Sequence, residues 1–306
     1  MNDFIHYATL LTKRKADTSK AKTSEHYGSA LRALIRFLNH EGRTTVLPFS
    51  DVTRELIERF EAYLLGECGV TRNTSSFYIR NVRAIWNEAA RDGLTPHAAA
   101  PFDGVYTGVD ATRHRATTNR DIAAVIRARL DNNPALAFAR DVFIFSFFGH
   151  GIAFVDIAKM RKCDLCGGHI TYARSKTGKP LCVSVLPVMQ EIIDRWGDPA
   201  SPFLLPVVEL PFTARHYDTA LRRYNRHLHQ LSERLGLQCQ LTSYIARHSW
   251  ASEAYRLQVP VSVISTCMGH STEATTRIYL RSLDTTFIDS QVSVVEQFFM
   301  GSGAGE

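Results

Sequence analysis

Two stretches near the end of the chain, residues 246–251 and 268–279, read Ala246-Arg247-His248-Ser249-Trp250-Ala251 and Met268-Gly269-His270-Ser271-Thr272-Glu273-Ala274-Thr275-Thr276-Arg277-Ile278-Tyr279. Within them, Arg247, His270 and Tyr279 combine a fixed cation, a ring donor and a phenol. Arginine binds phosphate oxygens bidentately and keeps its charge, and a phenol can form a covalent intermediate. Each residue alone more often serves structure, but their order and spacing together predict a site for phosphodiester transesterification.

The residues around this pattern predict three short helices. Thr242 is a candidate N-cap for the first. Pro260 opens the second and Gly269 ends it, and Ser271 or Thr272 caps the third. We expect these helices to bring the cation, the ring and the phenol within reach of one another.

Composition narrows the class of protein. The chain has 306 residues, which is typical of about two domains, and 45% of them are hydrophobic and 22% charged. Its net charge of +6 favours a polyanionic partner. The sequence has no apolar run of the ~20 residues that a membrane span needs, and its first residues do not resemble a signal peptide. Six cysteines without a secretory signal indicate reduced thiols in a cytoplasmic protein.

One cysteine pair resembles a metal site. Cys163 and Cys166 have the spacing of a zinc knuckle, with His169 and Cys182 nearby, but a structural zinc site needs two paired knuckles. We therefore predict no metal here and interpret the pair as thiols in a turn before a hairpin.

The first part of the chain, residues 1–102, shows helical periodicity in three segments, 21–40, 52–65 and 72–91, and a short helix is expected near Phe4–Leu11. This pattern predicts a small four-helix domain. Polar and basic residues at the start and on one side of the last helix are candidate phosphate contacts. They are Arg72, Asn73, Thr74, Arg80 and Arg83. A solvated helix face remains the alternative for each of them.

Residues 103–118 lose this periodicity and are interpreted as a linker, whose Arg113 and Arg115 are further candidate DNA contacts. Residues 119–300 are predicted to form a second domain, mainly α with a small β-hairpin (α+β). Its strands are expected at His169–Ser175 and Leu181–Val185 around a Lys176–Lys179 turn. A buried central helix is expected near 138–148. A long helix from about Thr213 to Leu235 carries Arg222 and Arg223 on a basic face that we also expect to bind DNA.

These motifs resemble the tyrosine recombinase (lambda-integrase) family, and within it the integrases and DNA invertases of Bacteroides-type bacteria and their mobile elements. The resemblance covers roughly residues 1–295. It rests on Phe-Val-Asp-Ile-Ala-Lys (154–159), Lys-Thr-Gly-Lys (176–179), Leu-Thr-Ser-Tyr-Ile-Ala-Arg-His-Ser-Trp-Ala (241–251) and the block from Gly269 to Tyr279. It implies a SAM-like core-binding domain, a linker and a catalytic domain.

The resemblance also implies an activity and its partners. A phenol attacks a DNA phosphorus, a 3′-phosphotyrosyl bond forms, and integration, excision or inversion of a DNA segment follows without a cofactor. The partners implied are a double-stranded recombination site, three further copies of the chain in a synaptic homotetramer, and accessory DNA-bending proteins. The free protein is expected to be a monomer in the bacterial cytoplasm, associated with the nucleoid. Because the chain starts directly at the core-binding domain, an invertase or simple resolvase is favoured.

Carried over by position, the family roles fall on five residues. Tyr279 is the nucleophile and Arg247 the second active-site arginine. His270 occupies the His/Trp position, and Lys176 is the hairpin lysine that acts as general acid. Asp156 holds the acidic position that braces the site.

The sequence departs from the family pattern at two positions. Ala153 stands where the first arginine is expected, three residues before the acidic position. Tyr244 stands where many members have histidine or lysine, three residues before the second arginine. His150 is the first candidate for the missing cation, with Arg140 and Arg161 as the others.

Two alternatives follow from these departures and from the shared chemistry. Loss of the first arginine is compatible with a catalytically impaired, recombinase-derived DNA-binding protein. A type IB topoisomerase-like DNA-relaxing enzyme would use the same chemistry without synapsis. An apolar stripe after the nucleophile argues against the topoisomerase, because recombinases pack such a C-terminal helix onto a neighbouring subunit. The stripe consists of Phe287, Ile288, Val292, Val295, Phe298 and Phe299.

Overall fold

The computed structural model describes residues 3–17, 21–95, 100–110 and 117–280, without the side chains of residues 21 and 278–280. The chain divides into two compact units, Met1–Thr112 and Arg113–Glu306. Arg113, Arg115 and the apolar stripe expected to form a C-terminal packing helix lie outside the described residues. In the part of the chain that is described, no helix is long and apolar enough to span a membrane.

The first unit contains the four helices that the periodicity predicts. They are α1 (Phe4–Ala16), α2 (Ala21–His40), α3 (Arg54–Leu65) and α4 (Arg72–Arg91), with a 3₁₀ turn at Phe49–Asp51. Side chains of Asp3, Thr53 and Thr71 cap α1, α3 and α4, because each accepts a hydrogen bond from an N–H of the first turn. The apolar faces of the helices meet in one core that includes Phe4, Phe37, Phe60 and Trp86.

The second unit is also mainly helical. Its helices are α5 (Asn119–Arg127), α6 (Pro134–Phe148), α7 (Phe154–Ile157), α8 (Pro187–Trp196), α9 (Ala214–Arg234), α10 (Ile245–Arg256), α11 (Val261–Cys267) and α12 (Glu273–Leu280). The predicted central helix is confirmed in α6, where Val142, Phe143, Ile144 and Phe145 are all buried. Helices α8, α9 and α10 pack on α6, so α6 supports the elements that carry the candidate site.

A three-stranded antiparallel sheet, ordered β1-β2-β3, lies between α7 and α8 in the chain. Its strands are β1 (Leu165–Cys166), β2 (His169–Ala173) and β3 (Pro180–Ser184). The predicted hairpin is confirmed in β2 and β3, which pair from His169↔Ser184 to Ala173↔Pro180. The segment interpreted as a turn is partly a strand, since Leu165 pairs with Ile170. Among the residues placed by the structure, no three His, Cys, Asp or Glu side chains gather as metal ligands do.

The start of α10 differs from the prediction. Thr242 was expected as its N-cap, but the helix begins at Ile245 and Tyr244 holds the cap position without a side-chain bond. The reason is a turn that comes first, in which the Ile245 N–H donates to the Thr242 carbonyl at 3.0 Å. The prediction of Thr242 as the cap is therefore wrong by two residues. Helix α12 begins at Glu273, directly after Ser271 and Thr272, the two residues predicted as its cap.

Candidate active site

Arg247 is the centre of the site. It projects from α10, and only 3% of its surface is exposed. Its Nη1 donates to the Gly151 carbonyl at 2.7 Å, and its Nη2 donates to the Met268 carbonyl and lies 3.1 Å from Nε2 of His270. Its Nε has no hydrogen-bond partner among the described residues. A buried guanidinium held by two carbonyls is a preorganised cation with donors left for an anion.

Gly151 makes this arrangement possible. Its φ is +73°, and a Cβ added there would lie 2.7 Å from the Cα of Arg247. A side chain at this position would therefore push α10 away from the end of α6. The same carbonyl that accepts from the guanidinium belongs to this glycine, so close packing and orientation of the cation depend on one residue.

His270 faces Arg247 from the turn after α11. It is 5% exposed, and its Nδ1 lies 2.8 Å from the Oγ1 of Thr276. Burial and, after it, the charges of Arg247, Arg174, Lys176 and Lys179 together lower the pKa of its imidazole to about 4. The ring is therefore neutral at pH 7 in this structure.

The β2–β3 hairpin contributes the other cations through its docking on the Gly269–His270 turn. Arg174 is buried, and its Nη1 donates to the Gly269 carbonyl. Thr177 Oγ1 donates to the same carbonyl at 3.3 Å, and Lys179 Nζ donates to the His270 carbonyl at 2.6 Å. Lys176 lies exposed in the turn between them. The sequence indicated Lys176 and Lys179, but the part played by Arg174 was missed.

Asp156 supports the hairpin through a hydrogen bond to its backbone. It is 4% exposed in α7, and its Oδ1 accepts a hydrogen bond from the Ser175 N–H at 2.8 Å. Helix α7 is itself fixed on α9 by the stacked rings of Phe154 and Tyr224, whose centroids are 4.8 Å apart. The carboxylate thus holds the backbone at the end of β2, immediately beside Arg174 and Lys176.

The structure does not favour His150 as the replacement for the missing arginine. His150 has a φ of +62°, and its ring packs on the Trp250 ring with centroids 5.0 Å apart. Burial lowers the pKa of its imidazole, so the ring is neutral at pH 7. Arg140 is engaged by the buried carboxylate of Asp141 at 2.7 Å. Arg174 is the unanticipated cation that does reach the Gly269–His270 turn.

Tyr279 and Tyr244 occupy different settings. Tyr279 lies on α12, but its side chain is outside the described residues. Helix α12 packs against α10 and α11, the two helices that frame Arg247 and His270. Tyr244 is 49% exposed, and its ring contacts the edge of the His248 ring. Tyr244 is thus half-exposed, whereas Arg247 and His270 are buried.

The candidate DNA contacts of the first unit lie in the first turn of α4 and in its middle. Arg72, Arg80 and Arg83 are exposed. Asn73 is engaged by the backbone of Asp110, from which its Oδ1 accepts at 2.7 Å and to which its Nδ2 donates at 3.0 Å. The Arg72 guanidinium lies 3.7 Å from the centroid of the Tyr106 ring and 3.7 Å from the Asp110 carboxylate.

Three further candidates have local partners. Thr74 shares a 3.0 Å hydrogen bond with Thr71 at the start of α4. On α9, Arg223 pairs with Glu209 at 3.0 Å, whereas Arg222 is exposed and donates to the Thr219 Oγ1 at 3.4 Å. Because Arg222 is exposed, it is available to a phosphate. The ion pair between Arg223 and Glu209 would have to open before Arg223 could bind one.

Comparisons with known proteins agree with this geometry. The family model for the phage integrase SAM-like domain matches residues 3–105, and that for the phage integrase family matches residues 148–286. No curated protein sequence matches the chain.

Several solved structures share the fold. A lambda integrase (75-356) dimer bound to a COC′ core site has a TM-score of 0.68 at 16% identity, covering 90% of this chain and 95% of that one. The Tn1549 transposon integrase with a circular intermediate DNA has 0.67 at 14%, covering 96% and 99%. A lambda integrase tetramer on a Holliday junction has 0.65 at 16%, covering 88% and 76%. Both domain models match in the order expected, and the Arg247–His270 pair precedes Tyr279 in the sequence. The chain therefore belongs to the phage integrase family and is a site-specific tyrosine recombinase.

Proposed function

We propose that the protein cuts and rejoins double-stranded DNA at a recombination site, with Tyr279 forming a 3′-phosphotyrosyl bond. The observation that carries this proposal is the buried Arg247–His270 pair, which meets at 3.1 Å beside the helix of Tyr279. The tyrosine attacks the phosphorus and a 5′-hydroxyl leaves. The covalent bond conserves the phosphodiester energy until the 5′-hydroxyl of another strand attacks it.

The cations around His270 suit this chemistry. In the transition state, negative charge increases on the two non-bridging oxygens, and preorganised donors stabilise it without reorganisation. Arg247 supplies one such donor set. Arg174 supplies a second buried guanidinium, and we assign to it the role of the first arginine that Ala153 cannot fill. Lys176, exposed in the hairpin turn, is the group that gives a proton to the leaving 5′-oxygen.

The macromolecular partners follow from the same reaction. Strand exchange needs two recombination sites, so we expect four copies of the chain in the synaptic complex and a monomer before it forms. The lambda integrase tetramer on a Holliday junction supports this stoichiometry. A chromosomal substrate places the enzyme in the bacterial cytoplasm, associated with the nucleoid. Accessory DNA-bending proteins would shape the sites, and inversion or integration within a Bacteroides-type mobile element is the reaction we favour.

Covalent trapping on a nicked suicide substrate tests this function. The wild type should accumulate a protein–DNA adduct, and Tyr279→Phe should bind the same DNA but form none, because only the phenol oxygen can bond to phosphorus. Tyr255→Phe, on α10, is the matched control and should form adduct at the wild-type rate.

Other outcomes distinguish the alternatives. DNA binding without any wild-type adduct would indicate an impaired DNA-binding protein. Relaxation of supercoiled plasmid without recombinant products would indicate a topoisomerase. Undiminished adduct with Tyr279→Phe would remove Tyr279 from the role of nucleophile.

A further inference from the structure

Two hydrogen bonds that the His270 ring makes with described residues fix the position of its proton. A guanidinium can only donate, so the contact between Arg247 Nη2 and Nε2 at 3.1 Å makes Nε2 the acceptor. A neutral ring with a lone pair on Nε2 carries its hydrogen on Nδ1. Nδ1 therefore donates to the Oγ1 of Thr276 at 2.8 Å.

Thr276 links this ring to the nucleophile's helix. Its surface is completely buried, and it lies on α12, three residues before Tyr279. Residues three apart on a helix lie on neighbouring positions of one face. The hydroxyl that orients the imidazole is thus part of the same helical turn that delivers the phenol.

We propose that Thr276 is a positioning residue for strand cleavage. Its hydroxyl holds His270 with the hydrogen on Nδ1, turns Nε2 toward the phosphate position beside Arg247, and couples that orientation to the helix of Tyr279. The proposal deepens the proposed function and rests on it. Thr276 does not itself contact the reacting oxygen. Its effect on cleavage is exerted through His270 alone.

This arrangement has a consequence for protons. Because Nε2 carries a lone pair and no hydrogen, His270 can donate from Nε2 to a phosphate oxygen only after it takes up one proton from solvent. Among the described residues, the charged groups that face the ring are Arg247 from α10 and Arg174, Lys176 and Lys179 from the hairpin. All four disfavour the imidazolium until the negative phosphate enters and offsets their charge. Productive DNA binding is therefore linked to proton uptake, and Thr276 keeps Nδ1–H satisfied in both states.

Two substitutions at Thr276, one without the hydroxyl and one that keeps it, test the proposal. Thr276→Val removes only the hydroxyl and should slow adduct formation by ~10-fold or more, as loss of an orienting partner does elsewhere. Thr276→Ser keeps the hydroxyl and should remain within about threefold of the wild type. Thr275→Val, on the same helix, is the matched control and should be unchanged. DNA affinity and the unfolding temperature are measured in parallel, so that misfolding is not mistaken for lost positioning.

The pH dependence of adduct formation distinguishes a positioning role of Thr276 from a packing role. In the wild type, adduct formation should include a step that depends on protonation of His270, and Thr276→Val should shift or flatten that step. Thr276→Val at the wild-type rate with an unchanged profile would overturn the proposal, and so would equal losses for Thr276→Val and Thr276→Ser. Failure of the proposed function looks different, because the wild type itself would then form no adduct.

A readout without DNA completes the test. Nitrogen-15 NMR of histidine-labelled protein reports which ring nitrogen is protonated, and the His270 signals are those missing from His270→Gln. The wild type should show protonated Nδ1 and bare Nε2, and Thr276→Val should show a mixture of the two tautomers. Protonated Nε2 in the wild type would refute the assignment whatever the activity.

Discussion

Arg247 illustrates how few residues decide whether this site exists. The guanidinium is buried, and it is held by carbonyls of Gly151 and Met268 that come from opposite sides of α10 in the sequence. A buried cation is stable where hydrogen bonds compensate its burial. Displacing either carbonyl therefore lowers the stability of the protein and disturbs the orientation of the guanidinium. The arginine could be predicted from its motif. The glycine could not, because its importance comes from a φ of +73° and from contact with α10.

Gly151→Ala should therefore impair the site more than it impairs the fold. The added Cβ would lie 2.7 Å from the Cα of Arg247, so the two backbones must separate, at a cost of about 1–3 kcal/mol. We expect a lower free energy of unfolding in denaturant and a loss of adduct formation. Gly167→Ala is the control, since Gly167 also has a positive φ of +55° but has nothing within 4 Å of the added atom. Equal effects of the two substitutions would contradict the contact with Arg247.

The β2–β3 hairpin shows what can be predicted for an element and what cannot. Its strands follow from alternating side chains and a glycine turn, and both were predicted. Its docking on the Gly269–His270 turn was not, because Arg174 and Gly269 are 95 positions apart and no local pattern encodes such a contact. The two-residue strand β1 was missed for a related reason, since its pairing with β2 is visible only once both strands are placed.

We expect cleavage to require Arg174 but not His150. Arg174→Ala removes a buried guanidinium from the site and should slow adduct formation ~10²–10³-fold, the usual cost of a lost preorganised donor. Arg174→Lys should recover only part of this, because lysine lacks the planar fork. His150→Ala should stay within about tenfold of the wild type, since the ring packs on Trp250 and is neutral at pH 7. A severe loss with His150→Ala and none with Arg174→Ala would reverse the assignment.

For the whole molecule, DNA affinity depends on how many cations are free to meet phosphates. The net charge of +6 lies mostly in the second unit, which carries +5 against +1 for the first, and several candidate contacts are already paired within the protein. In the first unit, Asp110 places a carboxylate 3.7 Å from Arg72 and pairs with Asn73 through its backbone. The sequence predicted these residues as candidate DNA contacts, but not that Asp110, in the chain after α4, engages both Arg72 and Asn73.

Asp110→Asn should strengthen DNA binding at low salt. The amide keeps the shape of the side chain and leaves the backbone pairing with Asn73 intact, but it removes the charge that competes with phosphate for Arg72. We expect higher affinity for non-specific duplex and a plot of log affinity against log salt that steepens by up to about one unit. Asp131→Asn in the second unit is the control for the change in net charge. Identical curves for both variants would show that Arg72 gains nothing from the loss of Asp110.

The convergence of distant segments on Arg247 has a consequence for how the protein is made in the cell. Its partner Gly151 leaves the ribosome well before Met268 and His270, because synthesis adds ~5–20 residues per second. The helical first unit can fold before the site around Arg247 is complete, and that site stays unassembled until α12 has been synthesised. Under the proposed function, a prematurely terminated chain therefore cannot cut DNA, because cleavage requires a finished second unit.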